Sequence, residues 1–345
     1  MARTPPKPNR HNPVTGEADL VDTYSGQMEI KQTDEQKCLG FVLSSKGDNM
    51  ANIRQIRNKS IVTVRKLFNR LNSLKLKQYY FECAVILMNS VLRPSILYAC
   101  EMYYNLKESE LRHLERIEES FLRKVLNTTK GCPITQLYLE IGQIPARFEI
   151  QKMRLLYLKY ILEENEESLL RKFLQLQIEE PTKGDWASTC FKDLEELKIS
   201  ESLEEIKNMS KSRFTNMLKS SLKTNALKYL TGKQKSKGKE IFYSKLEMVD
   251  YLLPSNSELS VIEKQQVFRI RNRMVDIASN FPKSNVKPIC LCGEEEESME
   301  NIYNCELLNG ESIESEPYSN IFNGNFKQQV KVYRNFEKIM RNVKS

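Results

Sequence analysis

The sequence predicts a mainly α protein with a short β-hairpin near the N-terminus and a small cysteine cluster near the C-terminus. Three observations carry this expectation. Leu, Lys, Glu, Ile and Asn dominate, a composition that favours helix. Only 12 of 345 residues are glycine, too few for an all-β sandwich or a Gly-rich phosphate loop. From Met50 onward apolar residues recur at three- and four-residue steps, the period of one helix face. An apolar content of 40% is enough for a core, and the length suits two or three domains.

Taken in order, residues 1–26 hold four prolines and little apolar content and are expected to form a disordered arm. "QMEIKQ" alternates Met28 and Ile30 with polar residues, and "CLGFVLSS" carries an apolar run from Cys38 to Leu43. With the turn-like "KGDN" after them, they predict a hairpin or sheet edge over 27–46. Helix follows, with Ile53, Ile56, Val64, Leu67, Phe68, Leu71 and Leu74 on one face. Residues 78–93 read as a nearly all-apolar helix that ends or kinks at Pro94. In 107–127, Leu111, Leu114, Ile117, Phe121, Leu122 and Val125 share a face. "GCPITQLYLEIG" predicts a short helix with Pro133 near its first turn, and "QIPARFEIQKMRLLYLKYILEEN" a longer one. Further amphipathic helices are expected at about 165–178, 186–197, 200–208, 211–230, 242–252 and 258–276. "NFPKSNVKP" reads as a linker into the cysteine cluster, and "NFKQQVKVYRNFEKIMRNV" as a final helix.

Charge is concentrated rather than large. The net value is +8, from 53 basic and 45 acidic residues. Between Ala51 and Phe81 stand eight Lys/Arg and no acid. On a helix Lys59, Lys66 and Arg70 form one stripe, expected roughly opposite the apolar one, so that one face packs while the other meets an anion. Between Lys207 and Lys245 there are eleven basic residues against Glu240 alone, including Lys233, Lys235 and Lys237 in "TGKQKSKGKE". Phosphate backbones reward such runs through counterion release, whereas the plainer reading is a solvated surface.

Catalytic constellations are sparse. There is no Asp-Asp pair to hold divalent ions, and Asp19 and Asp22 lie in the expected arm. The two histidines are His11, also in the arm, and His113, read as a surface residue. No phosphate-loop motif is present, and Trp186 in "KGDWAS" reads as a packing anchor. The opening "MARTPPKPNRHNP" has no apolar run. The most apolar stretch, "YYFECAVILMNSVLRPSILYACEMYY", is interrupted by Glu82, Arg93 and Pro94, so no membrane association is expected. Scattered cysteines at 38, 83, 100, 132 and 190 read as reduced thiols of an intracellular protein, nuclear or cytoplasmic.

"EIKQTDEQKCLGFVLSSKGDNMANI" resembles the end of the palm in reverse transcriptases of non-LTR (LINE-like) retrotransposons, which carry a K-[YF]-L-G primer-grip hairpin just before the thumb. Here the hairpin positions are Lys37, Cys38, Leu39 and Gly40, with Cys38 in place of the aromatic. "LRPSILYACEMYYNLKESELRHLERIEESFLRKVLNTTKGCPITQLYLEIGQIPARFEI" is similar to the helical segment that follows, and "PTKGDWAS" and "CLCGEEEESMENIYNCELLN" resemble later blocks. The likeness runs over about residues 27–345. It implies a residual palm hairpin (27–46), a thumb (47–130) and a C-terminal helical region (131–280). A degenerate zinc knuckle (281–309) and a last helix (310–345) would follow.

The family's polymerase aspartates, in an [FY]-x-D-D motif, lie upstream of the primer grip, and this chain begins too late to contain them. The resemblance therefore implies a fragment that binds template–primer, RNA or DNA, retains no magnesium site and does not polymerise. In the knuckle, Cys290, Cys292 and Cys305 fill the cysteine places and Asn301 the histidine place. An amide oxygen is a poor zinc ligand beside imidazole. The implied zinc site is either impaired, or completed by water, by Glu297 or Glu300, or by another chain. By the same resemblance Lys59, Lys66 and Arg70 would track the template–primer backbone. The competing reading is a helical protein-interaction domain, or a translated remnant without function.

Overall fold

A computed structural model describes residues 21–23, 26–28, 33–45, 49–235, 243–272, 274, 305, 326–327, 330–331, 333–335 and 338. The fold is mainly helical, as expected, and the chain forms two compact units, Met1–Gln55 and Ile56–Ser345.

In the first unit, β1 (Val21–Thr23) pairs antiparallel with β2 (Gly26–Met28), and β3 (Glu35–Cys38) with β4 (Phe41–Ser44). β1 stands inside the segment expected to be a disordered arm. The run Cys38–Leu43 is not one strand, because its middle is the turn. Cys38 faces Phe41, and Leu39 and Gly40 between them have φ of 48° and 93°. A two-residue hairpin turn with positive φ at both central positions matches the strand twist, and Gly40 supplies one of them without strain. The first residues of α1 (Met50–Ser73) hold this hairpin: Asn52 Oδ1 accepts from the Val42 amide at 3.1 Å, and Gln55 Nε2 donates to the Gly40 carbonyl at 3.0 Å. Arg54 pairs with Glu35 at 2.9 Å.

In the second unit, the rest of α1 buries Ile56, Ser60, Val64, Leu67 and Leu71. The apolar segment after it forms α2 (Tyr80–Leu87), a π-turn (Met88–Leu92) and α3 (Arg93–Ile96). Helix therefore continues past Pro94 rather than ending there. Proline has no N–H and its ring crowds the carbonyl four residues back. Widening the preceding turn, so that the Arg93 amide bonds the Met88 carbonyl, accommodates the ring.

Then come α4 (Glu108–Val125), α5 (Ile134–Ile141), α6 (Ala146–Glu163), α7 (Leu169–Glu179), α8 (Trp186–Glu196), α9 (Leu203–Asn208), α10 (Lys211–Lys235) and α11 (Val261–Arg271). Starts are set by side chains that accept from orphan amides: Ser168, Asp185, Ser202 and Ser260 cap α7, α8, α9 and α11. α6 is central, packed against α4, α7, α8, α9 and α10. It is buried on more than one side, so its two buried cations need partners. Arg154 bonds Asp193 at 2.7 Å, and Lys159 donates to the carbonyls of Ile206 (2.8 Å) and Met209 (2.6 Å), where α9 ends.

The helix expected over 242–252 is absent from the described residues 243–252 except for a 3-10 turn at Asp250–Leu252. This segment lies along α5 instead. Val249 donates its amide to the Glu140 carbonyl, and Tyr243 Oη donates to Glu140 at 2.6 Å. The approach depends on Gly142, whose φ is 68° and where a Cβ would lie 2.2 Å from the backbone at Glu247 and Met248. The expected final helix is helical at those of its residues that are described, 326–327, 330–331, 333–335 and 338.

Candidate nucleic-acid interface

α1 presents Lys59, Lys66 and Arg70 to solvent, and none of the three has a carboxylate partner among the described residues. The stripe is real but not opposite the buried face. At about 100° per residue the three lie about 100° round from the Ile56–Leu71 stripe. The opposite pole carries Asn58, Val62, Arg65 and Asn69, so an apolar residue, Val62, interrupts the basic surface.

α10 behaves differently. It buries Phe214, Leu218, Leu222, Ala226, Leu230 and Gln234, a strict four-residue repeat. Such a repeat advances about 40° per step, so the buried stripe winds round the helix and leaves lysines on both flanks. On one flank, Lys228 and Lys233 line a cleft of about 1020 Å³ with Arg147 of α6, Lys192 of α8, and Lys183. On the other, Lys219 and Lys223 line a cleft of about 640 Å³ with Arg93 and Lys152.

The larger cleft is electrostatically layered. Arg147 bridges two carboxylates, reaching Glu115 at 2.5 Å and Glu108 at 2.9 Å, and its bond to Glu108 holds that carboxyl below its usual range. Tyr229 lies under the Arg147 guanidinium at 4.5 Å and beside the Lys233 ammonium at 4.1 Å. Lys233 also donates to Tyr229 Oη. Burial, then Arg112 and Arg147, depress the Lys233 pKa. Lys233 is thus a half-buried cleft lysine rather than a surface one. Lys183 and Lys228 are exposed and have no carboxylate partner among the described residues.

Of the other expected site residues, Lys235 is exposed and Lys237 lies outside the described residues. Lys37 is exposed, Leu39 is 89% exposed at the hairpin tip, and Gly40 forms the turn. Cys290, Cys292 and Asn301 lie outside the described residues, and Cys305 is buried. Among the described residues no group of three His, Cys, Asp or Glu could hold a metal ion, and no helix is long and apolar enough to cross a membrane. His113, read as a surface residue, is half-buried, with Nδ1 out of solvent and unpartnered among the described residues. Trp186 acts as an anchor: Nε1 donates to the Glu101 carbonyl at 2.8 Å and the indole meets Tyr157 edge-on at 5.8 Å.

Sequence reasoning missed Arg147, Lys183, Lys192 and Tyr229, which come together only through the packing of α6, α8 and α10. The four-residue apolar repeat of α10 was the available signal. No family model, curated protein or solved structure matches the chain.

Proposed function

We propose that the chain binds nucleic acid by its phosphate backbone, as a reverse-transcriptase-like protein of non-LTR type. The observation that carries this reading is the set of exposed cations without carboxylate partners among the described residues: Lys59, Lys66 and Arg70 on α1, and Lys219, Lys223 and Lys228 flanking the clefts of α10. A merely solvated charged surface gathers acids among its bases. Here α10 has none, and α1 has none either. Each phosphate neutralised releases counterions, which makes affinity fall steeply with salt.

The test is fluorescence anisotropy on RNA and DNA oligonucleotides across a salt series. Lys59→Glu, Lys66→Glu and Arg70→Glu together should weaken binding alike for all sequences and flatten the log–log salt slope by about 2–3. An unchanged slope means that the stripe is solvent-facing only.

A second reading, a protein-interaction domain, is favoured by α7. Leu169, Phe173 and Leu176, spaced four and three apart, are 85%, 60% and 51% exposed. Self-association that disappears on substituting Leu169 and Leu176 would support it.

A further inference from the structure

Beside the basic cleft runs a second groove of about 440 Å³, lined by Met102, Tyr104, Tyr157, Leu170, Phe173 and Trp186. The two adjoin, since Asn105, Lys183 and Gly184 belong to both walls. We propose that this groove receives unpaired bases of a single strand whose phosphates lie along the Lys183–Lys228 side of the cleft. The inference rests on the phosphate-binding reading above and deepens it.

The groove has the two properties that single-strand binding requires: aromatic faces open to a ligand, and cations within a backbone's reach of them. Phe173 is 60% exposed and Tyr104 40%, a costly arrangement for rings with no role at a surface. Other rings are fixed rather than loose. Trp186 is held by its bond to Glu101, and Tyr157 is stacked on Tyr160 at 5.9 Å with planes 16° apart. Fixed rings lose little entropy when a base stacks on them. The one carboxylate in the wall, Asp185, is engaged in capping α8, accepting from the amides of Ser188 and Thr182 at 2.7 Å each. Lys183, at the junction, places a cation where the sugar–phosphate backbone of a stacked base would leave the groove. A duplex keeps its bases stacked inside and cannot offer them to these rings.

Trp186 is the sole tryptophan, so its emission reports on this groove alone. Titration of the full chain with oligouridylate should quench it, and titration with a duplex of equal length should not. Phe173→Ala and Tyr104→Ala should each lower single-strand affinity by about tenfold and leave duplex affinity unchanged. Lys183→Glu should lower both. Circular dichroism checks that each variant folds, and the exposure of both rings makes unfolding a poor explanation of any loss. Unquenched emission with intact single-strand affinity in Phe173→Ala overturns the inference while leaving phosphate binding in place. Loss of self-association in that variant, with nucleic-acid affinity untouched, overturns it in favour of a protein-binding groove. Absence of any binding by the unaltered chain defeats both readings.

Discussion

Arg93, Arg154 and Arg271 carry the same charge as Lys59, Lys66 and Arg70 but stand in opposite surroundings. The first three are buried and paired with carboxylates: Arg93 with Glu118 at 2.8 Å and Glu149 at 3.3 Å, Arg154 with Asp193 at 2.7 Å, and Arg271 with Glu140 at 3.0 Å. The second three face solvent with no such partner among the described residues. Guanidinium suits the first task because its flat fork satisfies several acceptors at once. Arg93 reaches Glu118, Asn89, Gln143 and the Ile144 carbonyl. Buried ammonium occurs here too, but Lys159 and Lys264 bond backbone carbonyls as principal acceptors. Among the described residues six acids and five bases are buried, so burial does not remove the basic excess from the surface. The lesson is that basic residues of this chain divide into those that complete the core and those that face solvent.

The division can be broken at the buried end, where the largest effect is expected. Arg93→Ala would strand Glu118, which is fully buried and among the described residues otherwise receives only the Tyr138 hydroxyl at 2.8 Å. A loss of about 3–5 kcal/mol in urea unfolding is expected, because the remaining carboxylate has no counter-charge. Arg93→Met with Glu118→Leu should cost far less, since the cost lies in the orphaned charge and not in the lost pair. A cost below about 1 kcal/mol for Arg93→Ala would mean that the buried pairs are no different from surface ones.

The next residue on α4 sharpens the same contrast. Glu119 is 6% exposed, has no ion-pair partner among the described residues, and keeps Oε1 buried and unsatisfied. Burial pushes its pKa up from 4.5 to about 7. The folded state therefore holds a proton that the unfolded chain releases as pH rises through that window. Stability falls between about pH 4.5 and 7 and is flat above. Glu119→Gln should stabilise the protein by about 1–2 kcal/mol at pH 8, after allowance for partial solvent screening, and by nothing at pH 4. Thermal melts at the two pH values check both the size and the sign.

How far the sequence discloses this molecule depends on whether a feature is local. Helices with a strong apolar period, such as α4 and α8, stand where the period places them. The 242–252 segment fails because its fate is set by Glu140 and Gly142, a hundred residues earlier, against which its described residues pack. The α1 stripe is legible as a stripe, but the tilt of the buried face towards it depends on what packs there. Lys233 and Lys228 are readable as basic residues. That they share a cleft with Arg147 and Tyr229 is not, because three helices must meet before the cleft exists. The buried arginines look no different in the sequence from the exposed lysines.

The smallest expected effect concerns the hairpin tip, where local strain can be tested apart from charge. Leu39 has φ of 48°, a region in which a side chain crowds its own backbone, at a cost of about 1–2 kcal/mol. Its side chain is 89% exposed, so truncation forfeits almost no buried area. Leu39→Gly removes the crowding but gives the unfolded chain more freedom, which takes back about 0.4–1 kcal/mol. A net gain of about 0.5 kcal/mol is expected, read as slower amide exchange at Val42, whose N–H is bonded to Asn52 behind the turn. Faster exchange there would mean that the Leu39 side chain holds the turn by contacts that outweigh its backbone strain.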